Sequence, residues 1–428
     1  MTDASPDGWE TKLLGDNAYI KARIGWRGLS SSEYTDVGPY LIAGKHLRNG
    51  RILWSECDHI SKARFDESYE IQLAEHDVII SKDGTIGRLG FVKDLPGPAT
   101  INGTMMLIRP NSDLHAKFVY HYLEGDKFSK LVAEKVSGSS VPHIFQRDMV
   151  ELPIDCPTLP EQKKIASILT SVDEVIENTQ KQIDKLQDLK KATMKELLTK
   201  GIGHTEFKDS ELGRIPKSWE VKRLIDLVSI KHGFAFEGKY FTSIPNGKIL
   251  LTPGNFHRDG HLYFGDKTKY YAGEPPEEYI LRNGDLLIVM TDLTAEMTIL
   301  GNTVILSSPN IVLHNQRIGK VGFSDEDFHS DFLNLLMNSD YVKTSVKLTA
   351  TGTTVRHTSP TKIMECDVPI PPLSEQRKIT SAISSIQNNI EEKQNKLSKT
   401  QSLKRSLMQD LLTFRSSDAK RMWRDNIK

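Results

Sequence analysis

Residues 159–165 read Leu-Pro-Glu-Gln-Lys-Lys-Ile, and residues 373–379 read Leu-Ser-Glu-Gln-Arg-Lys-Ile. The displacement from 159 to 373 is 214 positions, and the same displacement brings residues 197–199 onto residues 411–413, which are Leu-Leu-Thr in both places. No gap interrupts the match between these points. Because this period is far too long for a solenoid unit, it indicates a duplicated domain in which each copy ends in a helix.

Each matching run predicts a long helix with a heptad seam, because its apolar residues alternate steps of three and four. Pro160 suits a first helical turn, Ser374 suits an N-cap, and Gly201 predicts the end of the first helix. The polar residues Lys190 and Lys404 also fall on the seam, where such residues often fix register. The apolar seam positions are Ile165, Leu169, Val172, Ile176, Ile183, Leu186 and Leu197, followed by Ile379, Ile383, Ile386, Ile390, Leu397, Leu407 and Leu411.

The connectivity predicts how the two helices pair. The first helix leaves copy one and arrives at copy two. If the second runs back along it as an antiparallel coiled coil, the two copies lie at opposite ends of one rod, related by an approximate two-fold axis. Matching lengths and the ungapped alignment favour this internal pair. The alternative is that each helix mediates homodimerisation.

The remainder of each copy predicts a mixed globule. Each begins near a Trp-Glu pair, at residues 9–10 and 219–220, and contains short apolar runs bounded by Gly, Asp and Asn that indicate strands. An amphipathic helix follows the strands in both copies. We therefore expect an α+β fold, with two tandem-duplicated globules of about 150 residues each.

Composition narrows the class of protein without choosing a function. The chain has 428 residues, is 38% apolar and contains 56 Lys and Arg against 56 Asp and Glu, so any nucleic-acid binding must use local basic surfaces. It has no apolar run of membrane-spanning length, and its polar start is unlike a signal peptide, so we expect a cytoplasmic protein. Cys57, Cys156 and Cys366 are far apart, which indicates neither a disulfide framework nor a zinc site.

The repeated helix entries resemble a known family. The Pro-Leu-x-Glu-Gln-x-x-Ile pattern in residues 157–165 and 371–379, with the link Leu-Gly-Arg-Ile-Pro-Lys-Ser-Trp-Glu in residues 212–220, is similar to the conserved regions of type I restriction-modification specificity (S) subunits. The resemblance covers essentially the whole chain. It implies an N-terminal target recognition domain (1–155), a central conserved region with spacer helix and linker (156–214), a C-terminal target recognition domain (215–369), and a C-terminal conserved region with spacer helix and basic tail (370–428).

The same resemblance implies a function. Each recognition domain would read one half of an asymmetric, bipartite target in double-stranded DNA, and the coiled coil would set the gap and dock two methyltransferase subunits. Restriction/translocase subunits would complete the complex. S-adenosylmethionine, ATP and Mg²⁺ are then expected in the partner subunits and none in this chain. In agreement, the chain has no phosphate-binding loop, no Gly-x-Gly-x-x-Gly and no Asn-Pro-Pro-Tyr/Phe motif, so we expect a non-catalytic subunit.

Candidate DNA-reading residues should lie on exposed loops and carry hydrogen-bond donors or acceptors that suit base edges or phosphates. The shared His143 and His357 could instead be capping or buried hydrogen-bonded histidines, since a residue common to both copies cannot distinguish two targets. The unmatched Gln146, Arg147 and Arg356 are better candidates for specificity. The full set is Lys82, Arg88, Ser139, Ser140, His143, Gln146 and Arg147 in copy one, and Asn315, Gln316, Arg317, Thr353, Thr354, Arg356, His357 and Lys362 in copy two.

Two other functions are compatible with the duplication. A coiled-coil scaffold would have the same architecture without sequence-specific DNA binding. A restriction-modification enzyme with its own active site is the second alternative, and the missing methyltransferase and nuclease motifs weigh against it.

Overall fold

A computed structural model of the chain describes residues 9–22, 29–137, 142–258, 260–294, 296–324 and 328–412. The chain forms two compact units. The first consists of Met1–Lys181 and Gln394–Lys428, and the second of Gln182–Lys393. Each unit therefore contains one globule together with part of each of two long helices.

The first globule is a mixture of short strands and helices. Its helices are α1 (Leu14–Asn17), α2 (Lys62–Asp66), α3 (Ala116–Leu123), α4 (Asp126–Ser137) and α5 (Gln146–Val150), and the first long helix is α6 (Leu159–Lys200). Its strands are β1 (Glu10–Leu13), β2 (Ala18–Ala22), β3 (Tyr34–Ile42), β4 (Leu47–Arg48), β5 (Arg51–Ile52), β6 (Asp58–Ile60), β7 (Val78–Ser81), β8 (Leu89–Phe91), β9 (Ala99–Ile101), β10 (Met105–Pro110) and β11 (Pro153–Cys156).

A four-stranded antiparallel sheet, in the order β2-β10-β7-β8, lies at the centre of this globule. Strand β7 is buried on both faces because its alternate residues enter two different cores. Val78 and Ile80 pack with α3 and α6, whereas Ile79 packs with the smaller sheet β6-β3-β9. The end of β7 is thus held rigidly, which matters for the loop that follows it.

The second globule repeats this plan. Its helices are α7 (Ser330–Met337), α8 (Asp340–Thr349) and α9 (Pro360–Met364), and the second long helix is α10 (Leu373–Leu412). Its strands are β12 (Phe207–Ser210), β13 (Gly213–Pro216), β14 (Glu220–Arg223), β15 (Val228–His232), β16 (Phe241–Thr242), β17 (Lys248–Leu250), β18 (Lys269–Tyr271), β19 (Ile280–Leu281), β20 (Leu286–Val289), β21 (Thr291–Asp292), β22 (Thr303–Ile305), β23 (Ile311–Leu313), β24 (Ile318–Phe323), β25 (Arg356–His357) and β26 (Asp367–Ile370).

Its central sheet has the order β15-β24-β20-β22 and is antiparallel throughout. Leu286 and Ile288 of β20 face the core shared with α7 and the long helices, and Leu287 and Val289 face a second core. The peripheral sheet of this globule has five strands in the order β16-β18-β17-β23-β19, whereas its counterpart β6-β3-β9 has three. The duplication thus preserved the central sheet and enlarged the peripheral one.

In the first unit, α6 and α10 run antiparallel. Lys404 Nζ of α10 lies 2.7 Å from Asp173 Oδ1 of α6. Ile165 and Leu169, earlier on α6, share a core with Leu412, later on α10. A partner position that advances along one helix as it retreats along the other defines an antiparallel pair.

The second unit shows the same direction independently. Lys190 Nζ of α6 donates to Gln387 Oε1 of α10 at 2.9 Å. Leu198, later on α6, shares a core with Ile379, earlier on α10. Every predicted seam residue is buried or half-buried. The prediction of two long helices that pair antiparallel within the chain is confirmed.

The glutamine of the repeated Glu-Gln pair ties each long helix to a globule. Gln162 is buried; its Oε1 accepts the N–H of His115 at 2.8 Å, and its Nε2 donates to the carbonyl five residues earlier at 3.0 Å. Gln376 makes the same two bonds at 3.1 Å, with His329 and with the carbonyl five residues earlier. Since His115 and His329 directly precede α3 and α7, each glutamine fixes the start of a long helix against the helical layer of its globule.

The end of α6 is anchored by Glu375. Its carboxylate accepts the Trp219 indole N–H at 2.9 Å, His204 Nε2 at 2.8 Å and the Ile202 N–H at 2.9 Å. Gly201 ends the helix as predicted, with a φ of +64° that favours glycine. A side chain at Gly201 would come within 2.4 Å of the Glu375 carboxylate, so the close approach also requires glycine.

Two expectations from composition can be compared with the structure. Within the part of the chain that it describes, no helix is both long enough and apolar enough to span a bilayer. Cys57, Cys156 and Cys366 are buried free thiols.

Candidate DNA-recognition surfaces

In the first unit, an aspartate fastens the turn that follows β7. Asp83 Oδ2 accepts a hydrogen bond from the Lys82 ammonium at 2.7 Å, and Asp83 Oδ1 contacts His143 Nδ1. Ile144 donates its N–H to the Lys82 carbonyl at 3.0 Å. Lys82 is only 8% exposed. The structure therefore brings Lys82 and His143 together, with both side chains bound to Asp83.

Arg88 lies at the far end of the same turn. Its N–H donates to Ser81 Oγ at 2.9 Å, and its guanidinium Nη1 donates to the Gly44 carbonyl at 3.3 Å. Gly84 and Gly87 provide the left-handed backbone, with φ of +68° and +81°. The turn is therefore closed by its own backbone, and Arg88 is an exposed residue on its flank.

Helix α5 presents two further exposed candidates of the first unit. Gln146 and Arg147 are exposed, and Gln146 Oε1 accepts the Ala22 N–H at 3.3 Å. The Arg147 guanidinium lies 5.0 Å from the centre of the Phe145 ring, which in turn lies 4.4 Å from the His143 ring. Phe145 is 48% exposed. Sequence reasoning missed this residue, although an apolar side chain beside donor groups suits contact with a thymine methyl.

In the second unit, the matching His357 again holds in place the segment that follows α7 and α8. His357 Nδ1 lies 3.1 Å from Thr291 Oγ1. Thr358 donates its N–H to the Met290 carbonyl at 3.0 Å, and the Met290 N–H donates to the Arg317 carbonyl at 3.0 Å. His357 and Arg317 are therefore brought to the same end of β20.

The two histidines make equivalent contacts. Each uses Nδ1 to reach a side chain just beyond the central strand, Asp83 in one unit and Thr291 in the other. In each case the following residue also donates its backbone N–H to the segment that leaves that strand. This arrangement explains why His143 and His357 recur, since both hold a loop in place.

The loop before His357 holds the remaining candidates of the second unit. Residues 351 and 357 exchange two backbone hydrogen bonds of 2.9 Å, which close the loop. Arg356 Nη1 and Lys362 Nζ each donate to a carbonyl of residues 349–352, at 2.5 and 2.6 Å. Thr353 and Thr354 are exposed at the tip. Only these threonines present side chains that no described contact holds back.

A second turn lies beside it. Asn315 Oδ1 accepts the Arg317 N–H at 3.1 Å, and the side chains of Gln316 and Arg317 are exposed. In the first unit, Asn102 Oδ1 accepts the Thr104 N–H at 3.0 Å in the same way. Sequence reasoning missed this first-unit turn, although the displacement of 213 from 102 to 315 could have revealed it.

Both units therefore contain a repeated set of hydrogen bonds that holds the loops in place, which we call the frame. The exposed side chains on these loops, which we call the tips, differ between the units. The histidine and asparagine contacts are common to the two, whereas the exposed residues differ: Arg88, Thr104, Phe145, Gln146 and Arg147 in one and Gln316, Arg317, Thr353 and Thr354 in the other. Ser139 and Ser140, and the basic tail of residues 415–428, lie outside the described residues. Donor-bearing and apolar side chains on such a frame can contact base edges in a DNA groove.

Comparison with known proteins agrees with this arrangement. The family model of the type I restriction modification DNA specificity domain matches the chain twice, over residues 6–188 and 216–399. The chain belongs to this specificity family. The two matches correspond to the two copies found in the sequence.

Relatives in the specificity family match along nearly the whole chain. The type I restriction enzyme MjaVIII specificity subunit of Methanocaldococcus jannaschii is 29% identical over 419 residues, which cover 95% of this chain and 93% of the relative. The putative MjaX specificity subunit of the same organism is 24% identical over 420 residues, again 95% and 93%.

A solved structure supports the fold. The crystal structure of the type I restriction-modification S subunit from M. genitalium has a TM-score of 0.57 at 14% identity, covering 95% of this chain and 97% of that one. The family match and the relatives in turn support a sequence-specific recognition subunit and not the scaffold without DNA specificity.

Proposed function

We propose that this chain selects the DNA target of a type I restriction-modification complex, with each globule reading one half of an asymmetric bipartite sequence. The observation that carries the proposal is the repeated frame with different tips. His143 and His357 hold equivalent loops, while the exposed residues beside them differ in size and charge. Two such surfaces would read different base sequences with the same docking geometry.

The long helices would act as the spacer. Major-groove faces on one side of a duplex recur about every 10 base pairs, so two rigidly mounted readers favour half-sites about one turn apart. Gln162 and Gln376 support this role because each fixes the start of a long helix to its own globule. The gap between half-sites would then be a property of the helices, and the bases a property of the tips.

Catalysis would belong to other subunits. We propose that the helices dock two methyltransferase subunits, which would bind S-adenosylmethionine, and that restriction/translocase subunits would use ATP and Mg²⁺. Leu189 and Leu403 are candidate contacts, since they occupy the same place in the repeat and are both half exposed. An apolar residue repeated on two surfaces suits two copies of one partner.

Domain exchange tests the proposal. Residues 1–155 would be replaced by those of another specificity subunit, the complex assembled with its methyltransferase subunits, and the methylated adenines mapped in a randomised DNA library. We expect one half of the target to change while the other half and the gap remain. The matched control replaces residues 215–369 and should change the opposite half. If either exchange altered both halves, the assignment of independent readers would be wrong.

A further inference from the structure

A buried ion cluster joins the first globule to both long helices. Lys404 Nζ of α10 lies 2.7 Å from Asp173 Oδ1 of α6 and 2.9 Å from Glu124 Oε2, which follows α3. His121 of α3 is fully buried; its Nδ1 lies 2.9 Å from the same Glu124 oxygen, and its Nε2 lies 3.1 Å from Thr170 Oγ1 of α6. Three separate elements therefore meet at one cation.

The cluster is charged and well shielded. Burial alone would raise the pKa of the Glu124 carboxyl, but the hydrogen bond from His121 and the Lys404 ammonium outweigh it and lower that pKa to about 2. Burial alone would lower the pKa of Lys404, but Glu124 and Asp173 outweigh it and raise that pKa. The lysine side chain is 14% exposed. Charge-assisted hydrogen bonds in such surroundings are strong and directional.

The surrounding apolar core does not supply the same constraint. Ile165, Leu169 and Leu412 bury area between the helices and the globule, and burial of this kind is largely indifferent to small rotations. A second ionic contact, between Arg51 of the β4-β5 hairpin and Glu177 of α6, again ties the globule to a helix. Directional polar contacts therefore add an orientational constraint to the apolar packing between this globule and its helices.

The second unit lacks the carboxylates at the matching positions. A displacement of 214 brings 173 onto Gln387, 124 onto Asn338 and 121 onto Leu335. Lys190, which matches Lys404, donates to Gln387 at 2.9 Å. Asn338 bonds instead to Thr303 of its own globule, through its Nδ2 and the Thr303 carbonyl at 3.0 Å. The duplication thus kept the lysine, and the neutral amide of Gln387 stands where the first unit has the carboxylate of Asp173.

We propose that Lys404 is a positioning residue that fixes the orientation of the N-terminal recognition domain on the helices, and through it the gap length accepted between the two half-sites. The inference rests on the proposed function, because a gap exists only if the target is bipartite. The preference for one gap length between the half-sites would then depend on this ion cluster of the first unit. The reading residues of that unit would still determine which bases are recognised.

The test uses the full chain assembled with its methyltransferase subunits and a DNA library randomised in sequence and gap. The variant Lys404→Met removes the charge and keeps most of the side-chain volume. We expect the ratio of methylated sites at the preferred gap to sites one base pair longer or shorter to fall about tenfold, the size of a typical single-position penalty. The bases of both half-sites should remain those of the unchanged protein.

Three further variants make the result specific. Lys190→Met removes the matching lysine of the second unit and should leave the gap ratio within about twofold of the unchanged protein. Lys404→Arg keeps a cation and should restore most of the spacing preference. Glu124→Gln leaves the Lys404–Asp173 pair intact and answers the same question if Lys404→Met does not assemble. Circular dichroism and gel filtration confirm folding and assembly in each case.

The outcomes separate the inference from the function on which it rests. An unchanged gap ratio in both Lys404→Met and Glu124→Gln, or an equal change in Lys190→Met, would overturn the positioning role. A changed base preference in either half-site would also overturn it. If the unchanged protein itself gave a target in one uninterrupted block, the bipartite function would be wrong, whatever the variants did.

Discussion

Lys404 in the first unit and Lys190 in the second occupy the same place in the repeat but have different partners. Lys404 bridges two carboxylates from the globule and from α6, whereas Lys190 meets the neutral Gln387. Removing one member of a buried ion cluster leaves other charges unpaired, which costs far more than the loss of a neutral partner's hydrogen bond. Both junctions keep a lysine at the same place, and we expect the first to be much less tolerant of a change at that lysine than the second.

The largest expected effect is on stability. Because Glu124 and Asp173 are partly exposed, we expect Lys404→Met to lower the free energy of unfolding of the first unit by about 3 kcal/mol, at the low end for a broken buried pair. Lys190→Met should cost the second unit about 1 kcal/mol. Hydrogen exchange of peptides from β7 and β20 reports each unit separately. Equal losses in the two units would contradict the difference between the junctions.

The sequence predicted the parts of this comparison that depend on local spacing. The heptad steps predicted both long helices and placed Lys190 and Lys404 on the seam, and Gly201 predicted the end of α6 because the residue after a helix often needs a positive φ. Short apolar runs also predicted strands within each globule. These features depend on residues close together in the chain.

The partners could not be predicted, because they come from distant segments. Glu124 lies 280 residues before Lys404, and Asp83 lies 60 residues before His143. Whether a loop lysine is free or held depends on such contacts, which explains why Lys82, an expected reader, is buried against Asp83. Phe145 had no counterpart in the second copy and therefore gave no repeat signal.

The second effect concerns pH and distinguishes the units through their buried histidines. Burial lowers the pKa of His314 from 6.5 to about 4, so the unfolded chain takes up the proton first as the pH falls. The second unit should therefore lose about 2 kcal/mol between pH 7 and pH 5. His314→Gln keeps a donor towards the Ile318 carbonyl and cannot be protonated in this range, so it should flatten the profile.

The first unit provides the control for that experiment. Burial also lowers the pKa of His46 and of His115. The free energy of unfolding of the first unit should therefore fall as the pH is lowered, in the unchanged protein and in His314→Gln alike. Hydrogen exchange of peptides from β7 and β20 at several pH values measures both profiles together. A flattened profile in the first unit as well would show that His314 does not act locally.

The third effect compares the two asparagine turns. Arg317 is exposed and long enough to grip a guanine bidentately, whereas the matching Thr104 is small. We expect Arg317→Ala to weaken binding about tenfold and to relax one position of the half-site read by the second unit. Thr104→Ala should weaken binding only about twofold and act on the other half-site. Competition binding with single-base variants of the mapped target measures both; a uniform loss over all variants would mark Arg317 as a phosphate contact.

The smallest effect compares a nearly buried, paired lysine with an exposed arginine. Lys82 is paired with Asp83 and nearly buried, so Lys82→Met should change DNA affinity less than about twofold and leave the salt dependence of binding unchanged. Arg147 is exposed on α5. If it contacts a phosphate, Arg147→Ala should reduce the slope of log affinity against log salt concentration by about one. Titrations from low to high salt give both slopes. A reduced slope in Lys82→Met would mean that the lysine leaves Asp83 on binding, and that the turn after β7 rearranges around DNA.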